Sequence, residues 1–341
     1  LFALTACSTG QEPKGDDKKP PAPALKVGDP APPLSVQKWL NGGEIKAIEP
    51  GKVYVLDFWA TWCGPCIQAM PHLVELKREY ADRGLVVATV TTADRRNPAE
   101  AVEKFVAKRG PKLGFPFALC TTPAMDQAWF EAAGADGLPT TFVVDKAGKI
   151  AFIGHPLELD DVLPAVLAGT WQGEASVAAM KKEGEALGAV FEKAEKDPAA
   201  GVVELDKFLA AHPDKAARPS LQVDRVRLLL LSGKADEAKA ASEKLLTTLT
   251  ERKSGMLLSA LRTIWASEET NPGHKHLDVA TRAADAVLAV DGDDDAFALF
   301  GGAEAYFAAG NPGRAVELAE KAVKVAETDQ DKQFLREQIE K

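Results

Sequence analysis

Two cysteines separated by two residues, Cys63 and Cys66, are the side chains of this sequence best suited to carry chemistry. They lie in the stretch Trp62-Cys63-Gly64-Pro65-Cys66, which follows an apolar run and opens a stretch with helical spacing. Backbone N–H groups at the start of a helix point toward the first cysteine, and the helix dipole favours negative charge there. We therefore predict that the pKa of Cys63 lies below the roughly 8.5 of a free thiol. Its thiolate can then attack a substrate disulfide, and the more buried Cys66 can resolve the mixed disulfide.

Metal binding and peroxide reduction fit this pair less well than thiol-disulfide exchange. A structural zinc site would need a second pair of ligands, but the remaining cysteines are Cys7 and Cys120, and none of the five histidines lies in a partner motif. A peroxidatic cysteine would follow a Pro and a Thr at fixed spacing, whereas Leu56 and Ala60 occupy those positions. The sequence therefore predicts redox activity with no metal and no other cofactor. For Cys120, a small core residue and a third redox thiol both stay open.

The elements that must position the pair lie between residues 27 and 170, where strand and helix signals alternate. Apolar runs predict buried strands over 52–60 and 85–92, and residues 140–154 predict a β-hairpin. Helical spacing predicts helices over 66–84, 97–110 and 158–170. Asn97 is predicted to cap the second helix, with Pro98 at its first position. This order of elements implies a central sheet covered by helices.

Three motifs in this region together resemble the TlpA/ResA group of exported thiol-disulfide oxidoreductases, which have a thioredoxin fold. The segment VGDPAPPLSV at 27–36 resembles the leading strand of that group and of peroxiredoxins, and residues 53–73 resemble its active-site strand and helix. The segment GLPTTFVVDKAGKI at 137–150 resembles its cis-proline segment. The resemblance implies an α/β thioredoxin fold over 27–170, with a central mixed sheet flanked by helices.

The resemblance also implies roles for five residues. Cys63 takes the place of the nucleophile and Cys66 that of the resolving cysteine, with a disulfide between them in the oxidised protein. Pro139 takes the place of the cis-proline, and the backbone of Leu138 that of a hydrogen-bonding partner for an extended substrate strand. Asp57 matches the buried Asp of thioredoxin, whereas TlpA-like proteins often have Asn there. A buried carboxylate with a raised pKa can exchange a proton with Cys66; a water-exposed carboxylate at a sheet edge is the alternative.

The residues between and beside the cysteines bear on the direction of electron flow. The dipeptide Gly64-Pro65 also matches thioredoxin, and among related folds it accompanies a reducing potential. The resemblance likewise points to reductases that a membrane electron donor re-reduces. Trp62, beside Cys63, is predicted to flank the substrate groove, whereas Trp59 is predicted to be a core residue.

From residue 171 to residue 341 the strand signals vanish and pairs of short amphipathic helices are predicted. Two pairs, over 228–246 and 305–323, share a Gly between the helices and an Ala five residues later. The second pair resembles the tetratricopeptide pattern of aromatic, Gly, small and small, at Tyr306, Gly310, Ala315 and Ala322. We predict an all-α, tetratricopeptide-like domain, with an irregular helical bundle as the alternative. Stacked helical repeats form concave surfaces, so a protein partner is expected on this domain.

The N-terminal residues resemble an export signal followed by a tether. Residues 1–7 end in Leu4-Thr5-Ala6-Cys7, which resembles a bacterial lipobox and predicts a lipid anchor on Cys7. An ordinary cleaved signal peptide with an incidental Cys7 is the alternative. Residues 8–26 are rich in Pro, Lys and Asp and predict a flexible linker. Ser8, in place of the Asp that retains some lipoproteins at the inner membrane, favours the outer membrane.

Composition narrows the possible partners. The net charge of -9 argues against nucleic acid, since a phosphate-binding face normally needs an excess of Lys and Arg. We therefore expect a thiol-disulfide oxidoreductase, lipid-anchored on the periplasmic side of a bacterial membrane, that reduces disulfides of client proteins. A disulfide-donating oxidase or isomerase is one alternative, and a helical scaffold with secondary redox activity is another.

Overall fold

The computed structural model describes residues 25–292, 294–326 and 329–339 of the chain. The signal-peptide remnant over 1–7, the lipidation site Cys7 and most of the predicted linker lie outside these residues. The predictions for them therefore stay predictions. The described chain forms a mixed α/β region followed by an all-helical region.

A six-stranded mixed sheet forms the centre of the first region, in the order β1-β4-β3-β2-β5-β6. The strands are β1 (Lys38–Leu40), β2 (Val53–Phe58), β3 (Leu85–Thr92), β4 (Phe117–Cys120), β5 (Thr140–Val144) and β6 (Ile150–Gly154). β2 runs parallel to β3 and β3 parallel to β4, whereas β5 runs antiparallel to both β2 and β6. β1 is an antiparallel edge strand on β4. Every residue of the central strand β2 is buried, as its apolar sequence predicts.

Both faces of the sheet are covered. Three helices pack on one face: α1 (Gly64–Glu79), α2 (Ala99–Leu113) and α3 (Leu159–Ala168). The other face is covered by side chains of residues 25–48 and by a π-helical turn, Asp126–Glu131, which buries Trp129. The predicted fold class, a mixed sheet flanked by helices and followed by an all-α region, is confirmed.

The leading strand implied for residues 27–36 is not formed. Within that segment a single bridge joins Pro30 to Lys149, and the first regular strand, β1, begins at Lys38. Proline has no N–H to donate to a ladder, and this segment contains three prolines. The sequence reading also missed β1 and β4, because three- and four-residue strands are too short to show a clear pattern.

All three predicted helices of this region begin and end at somewhat different residues, and the differences in α1 and α2 are the larger ones. α1 ends at Glu79, and a 3₁₀ turn over Ala81–Arg83 carries the chain to Gly84, whose φ of 81° is left-handed. α2 begins at Ala99, one residue after Pro98, and its start has no side-chain cap. The predicted capping role of Asn97 is therefore wrong. Its amide instead bonds to a loop that lies far away in the sequence.

The second region consists of helices that pack largely against their neighbours in the sequence. They are α4 (Glu174–Lys196), α5 (Pro198–Ala211), α6 (Pro213–Ala216), α7 (Pro219–Leu231), α8 (Ala235–Glu251), α9 (Gly255–Ala266), α10 (Asp278–Asp291), α11 (Ala296–Ala308), α12 (Pro312–Val325) and α13 (Asp329–Ile339). Gly233 and Gly310 take left-handed φ values at the α7–α8 and α11–α12 turns, where glycine is favoured. Small residues such as Ala238 and Ala322 are fully buried. The all-helical character is thus confirmed, while the tetratricopeptide assignment and the protein partner stay predictions.

The helical region contacts helix α1 through polar groups. The hydroxyl of Ser254 donates a hydrogen bond to Glu75 Oε2 at 2.8 Å. The guanidinium of Arg252 pairs with the carboxylate of Glu79, and Arg78 donates to the backbone oxygen of Arg252. These bonds join the second half of α1 to the α8–α9 connection.

A second ionic contact lies at the start of helix α3. The Asp161 carboxylate pairs with Lys215 and Arg218 from the helical region. Lys215 is almost fully buried, and its ammonium also lies 3.0 Å from Glu183 Oε2. A buried cation needs such partners, because an unpaired charge out of water is strongly unfavourable.

Replacing Asp161 with alanine is expected to lower the free energy of unfolding by about 3 kcal/mol, because two cations lose their shared carboxylate in a buried site. Urea unfolding followed by circular dichroism measures this loss. Glu103→Ala is the matched control, since it breaks an exposed pair with Lys38 and should cost about 1 kcal/mol or less. Equal losses in the two variants would contradict a buried ionic contact at Asp161.

Candidate active site

Cys63 and Cys66 form a disulfide at the start of helix α1, with their Cα atoms 5.3 Å apart. Strand β2 ends at Phe58, and residues 59–62 lead from it to Cys63, the N-cap of α1. Cys63 Sγ accepts a hydrogen bond from the Cys66 backbone N–H at 3.2 Å. Cys63 is 3% exposed, whereas Cys66 is completely buried. Of the pair, Cys63 therefore lies nearer to the surface.

Neighbouring groups make this end of α1 accessible. Gly64 and Pro65 are exposed, and half of the Trp62 surface is exposed. No acidic residue lies in the first turn of α1, so no nearby carboxylate on that turn opposes a negative charge at its N-terminus. The site thus combines a nearly buried disulfide with an open rim.

The loop before strand β5 lies at the same edge of the sheet. The peptide bond between Leu138 and Pro139 is cis, and Thr140, the next residue, pairs with Phe58 at the end of β2. The Thr140 hydroxyl donates to the Gly137 backbone oxygen at 2.7 Å, which closes the loop on itself. The strand register therefore brings the predicted substrate-binding residues of this loop close to those that precede α1.

A groove of about 140 Å³ lies between these two loops. Its lining includes Trp62 and Leu138 from the two loops and Phe130 and Asp126 from the π-helical turn. The guanidinium of Arg96 stacks over the Trp62 ring, with Cζ 4.5 Å from the ring centroid. The groove is therefore partly aromatic and partly polar. Trp59 also contributes to the lining of the groove, but its ring is buried in the core against Phe105 and Phe117, as predicted.

Asp57 is completely buried, which excludes the alternative of a carboxylate exposed at a sheet edge. Side chains alternate along a strand, so Asp57 lies on the face of β2 that carries Val53 and Val55 and that α1 covers. Burial raises its pKa to about 7, and a hydrogen bond from the Thr141 hydroxyl to Oδ1 opposes this shift. Within the described chain Oδ2 has no hydrogen-bond partner. Its predicted role as the proton partner of Cys66 stays a prediction.

Cys120 is a free, completely buried thiol on β4. Burial and the nearby Asp126 raise its pKa to about 12. Since the thiolate is the reactive form, this environment disfavours reaction at neutral pH. The structure therefore favours the core-residue interpretation over a third redox thiol.

The sequence did not predict the buried contacts of three polar residues in the α/β region. Asn97 binds the loop before Cys63, and an Asn before a Pro gave only a capping signal. His72 and Glu75 are largely buried on α1. Together with Glu79 they lie at positions i, i+3 and i+7 of this helix. Burial lowers the pKa of His72, against the effect of Asp160, and raises that of Glu75 to about 7. The i, i+3, i+7 spacing on one helix face was the available signal.

Two further properties bear on the site. Among the described residues, no three or more His, Cys, Asp or Glu side chains come together in a way that could hold a metal ion. In that same part of the chain, no helix combines the length and the apolar character needed to cross a membrane.

Comparison with known proteins places the first region among redox proteins. A model of the Redoxin family matches residues 26–160. Protein FixW of Rhizobium leguminosarum is 32% identical over 167 residues, which cover 48% of this chain and 76% of FixW. The thiol-disulfide oxidoreductase ResA of Geobacillus thermodenitrificans is 37% identical over 128 residues, covering 37% and 68% of the two chains. A solution structure of an oxidised thioredoxin-like protein is 26% identical with a TM-score of 0.36, covering 42% of this chain and 97% of that one.

The buried charge of Asp57 predicts a pH dependence of stability. Its folded-state pKa of about 7 exceeds the ordinary 3.8, so stability is greatest when the group is protonated in both states and is lost as pH rises through 7. Asp57→Asn is expected to remove this loss of stability at high pH, because asparagine does not ionise. Relative to the unchanged protein, we expect its free energy of unfolding to rise by about 4 kcal/mol between pH 4 and pH 8.

Urea unfolding of both proteins at the two pH values measures this difference. Asp82→Asn is the matched control, because Asp82 is exposed. The free energy of unfolding of this variant should change with pH in parallel with that of the unchanged protein. Parallel curves for Asp57→Asn as well would contradict a buried carboxyl with a raised pKa.

Proposed function

This chain belongs to the Redoxin family and is a thiol-disulfide oxidoreductase of the ResA/TlpA type, and on that premise we propose that it reduces disulfides of exported client proteins. The observation that carries the proposal is the position of the Cys63–Cys66 disulfide, at the N-terminus of α1 with an open rim beside it. Members of this class act on disulfide-bearing proteins. The clients of this chain, its export and its anchoring are parts of the proposal.

The reaction begins with the reduced pair. The Cys63 thiolate attacks one sulfur of the client disulfide, a mixed disulfide forms, and the other client sulfur leaves as a thiolate that takes up a proton. Cys66 then loses its proton and attacks Cys63 Sγ. The Cys63–Cys66 disulfide forms, and the second client sulfur leaves and is protonated. The client disulfide has gained two electrons and two protons, and the enzyme is in the oxidised state that the structure shows.

The surroundings support these roles. Cys63 lies at a helix N-terminus, where the dipole stabilises a thiolate. Cys66 is completely buried, so it needs a proton acceptor inside the protein. Asp57 lies on the sheet face beneath α1, and its pKa of about 7 suits proton exchange near neutral pH. We propose it as that acceptor.

The client is expected to bind as an extended segment along the open rim. Trp62, Gly64 and Pro65 present exposed surface on one side of Cys63. The backbone of Leu138 is proposed to hydrogen-bond the segment on the other side, next to Pro139. Re-reduction of the pair requires two electrons from a donor, which we propose to be a membrane protein.

The reduction potential of the Cys63–Cys66 pair tests the direction of electron flow. Equilibration with graded thiol buffers is expected to give a value near about -270 mV, as for thioredoxin. A value near about -120 mV would reverse the assignment and make the protein a disulfide donor. Cys120→Ala serves as the control and should leave the potential unchanged, because its thiol is buried outside the pair.

The site of action is tested through Cys7. We propose that this cysteine carries lipid and holds the protein on the periplasmic side of the outer membrane. When the protein is expressed with a complete lipoprotein signal peptide ahead of Cys7, it should fractionate with outer membranes, and Cys7→Ser should release it into the soluble periplasmic fraction. Cys120→Ser is the matched control and should stay with the membranes. A soluble protein with Cys7 intact would contradict lipid anchoring.

A further inference from the structure

The loop that leads from strand β2 to Cys63 leaves the sheet before it reaches the helix. The Trp59 backbone N–H still donates to the Val90 backbone oxygen of β3, at 3.0 Å. The next contact within the loop is local, from the Cys63 N–H to the Ala60 backbone oxygen at 3.0 Å. Among the residues that the structure describes, the backbone of 60–62 therefore makes no hydrogen bond to a strand of the sheet. These residues include Trp62, which lines the groove.

The side-chain amide of Asn97 supplies the missing attachment. Its Oδ1 accepts hydrogen bonds from the Thr61 backbone N–H at 3.0 Å and from the Thr61 hydroxyl at 2.8 Å. Its Nδ2 donates to the Thr91 hydroxyl at 2.8 Å and to the Thr92 backbone oxygen at 3.1 Å. A side-chain amide has two donors and two acceptor lone pairs, and here every one of them is used. Asn97 is only 2% exposed; its bond to Thr91 is buried, and the other three bonds are partly buried.

Three further hydrogen bonds strengthen the attachment. The Thr91 hydroxyl, which accepts from Asn97, donates in turn to the Trp59 backbone oxygen at 2.6 Å. Asp94 Oδ1 accepts from the backbone N–H groups of Arg96 and Asn97, both at 2.7 Å. Residues 94–97 therefore contact the loop twice, through the Asn97 amide at Thr61 and through Arg96, which stacks on Trp62.

We propose that Asn97 is a positioning residue for client proteins. Asn97 contributes to the lining of the groove, and its hydrogen bonds to Thr61 attach the loop that carries Trp62. None of its hydrogen bonds involves a sulfur atom. A rigid wall means that the loop loses little conformational freedom when a client segment binds against it, whereas a small disulfide makes no use of this wall. The inference rests on the proposed reduction of client proteins and specifies which segment prepares their binding surface.

Asn97→Ala tests this, with insulin as a protein substrate and 5,5′-dithiobis(2-nitrobenzoate) as a small one. For insulin reduction we expect kcat/KM to fall about tenfold, mainly through KM. The rate of the reduced protein with the small disulfide should change by less than about twofold, and the reduction potential should not change.

Asn41→Ala is the matched control. The amide of Asn41 donates to the backbone oxygens of Gly110 and Phe115, at 2.6 and 3.0 Å, so this asparagine also holds two segments together. It lies at the far end of α2 from Asn97, roughly 20 Å away along a helix of 15 residues. Its loss should affect stability but leave the ratio of the two substrates unchanged.

Three outcomes would overturn the inference: equal losses with both substrates, no loss with insulin, or the same ratio in Asn97→Ala and Asn41→Ala. If Asn97→Ala does not fold, Thr61→Val replaces it, because this variant removes only the hydroxyl bond to Asn97. We expect an insulin-specific loss of about threefold for it, and equal rates would overturn the inference. A wild-type protein that reduces the small disulfide but not insulin would instead contradict the proposed function.

Discussion

The burial of strand β2 on both faces and along both edges is the constraint on which the redox site depends. β3 and β5 pair with its edges, helices cover one face, and the N-terminal segment with the π-helical turn covers the other. A strand held in this way ends at a fixed point, so the chain enters the loop before Cys63 from a defined position. The same burial removes Asp57 from water and so raises its pKa to about 7.

Helix α1 connects the redox site at its start to the helical region at its second half. Its first residues form the disulfide, while Glu75, Arg78 and Glu79 in its second half bind the helical region. One helix therefore carries both the reactive pair and the contacts to the helical region. A client or partner surface on that region would be joined to the redox site through these contacts. Binding there would raise the effective concentration of a client disulfide at the site.

Much of the fold, and the chemistry of the cysteine pair, could be predicted from the sequence. Apolar runs predicted β2, β3 and the β5–β6 hairpin because buried strands must be apolar throughout. Apolar runs could not predict the short edge strand β1 or the contact of α1 with Ser254, since both depend on partners distant in the sequence. Asn97 shows the limit most clearly. Its local sequence, Asn before Pro and a helical stretch, predicts a cap, yet its amide bonds to Thr61, 36 residues earlier.

Asn97 and Asp57 are both buried polar residues, but their hydrogen bonding suits them to opposite roles. Every hydrogen-bonding group of the Asn97 amide has a partner, so any movement of the side chain breaks bonds in a solvent-poor site and the amide fixes its surroundings. Within the described chain, Oδ1 of Asp57 has a hydrogen-bond partner but Oδ2 has none. Burial brings the charged and neutral forms of this carboxyl close in free energy near pH 7. A group in that state can gain or lose a proton at little cost. Complete hydrogen bonding thus suits Asn97 to hold the loop, and incomplete hydrogen bonding suits Asp57 to the proton exchange proposed for it.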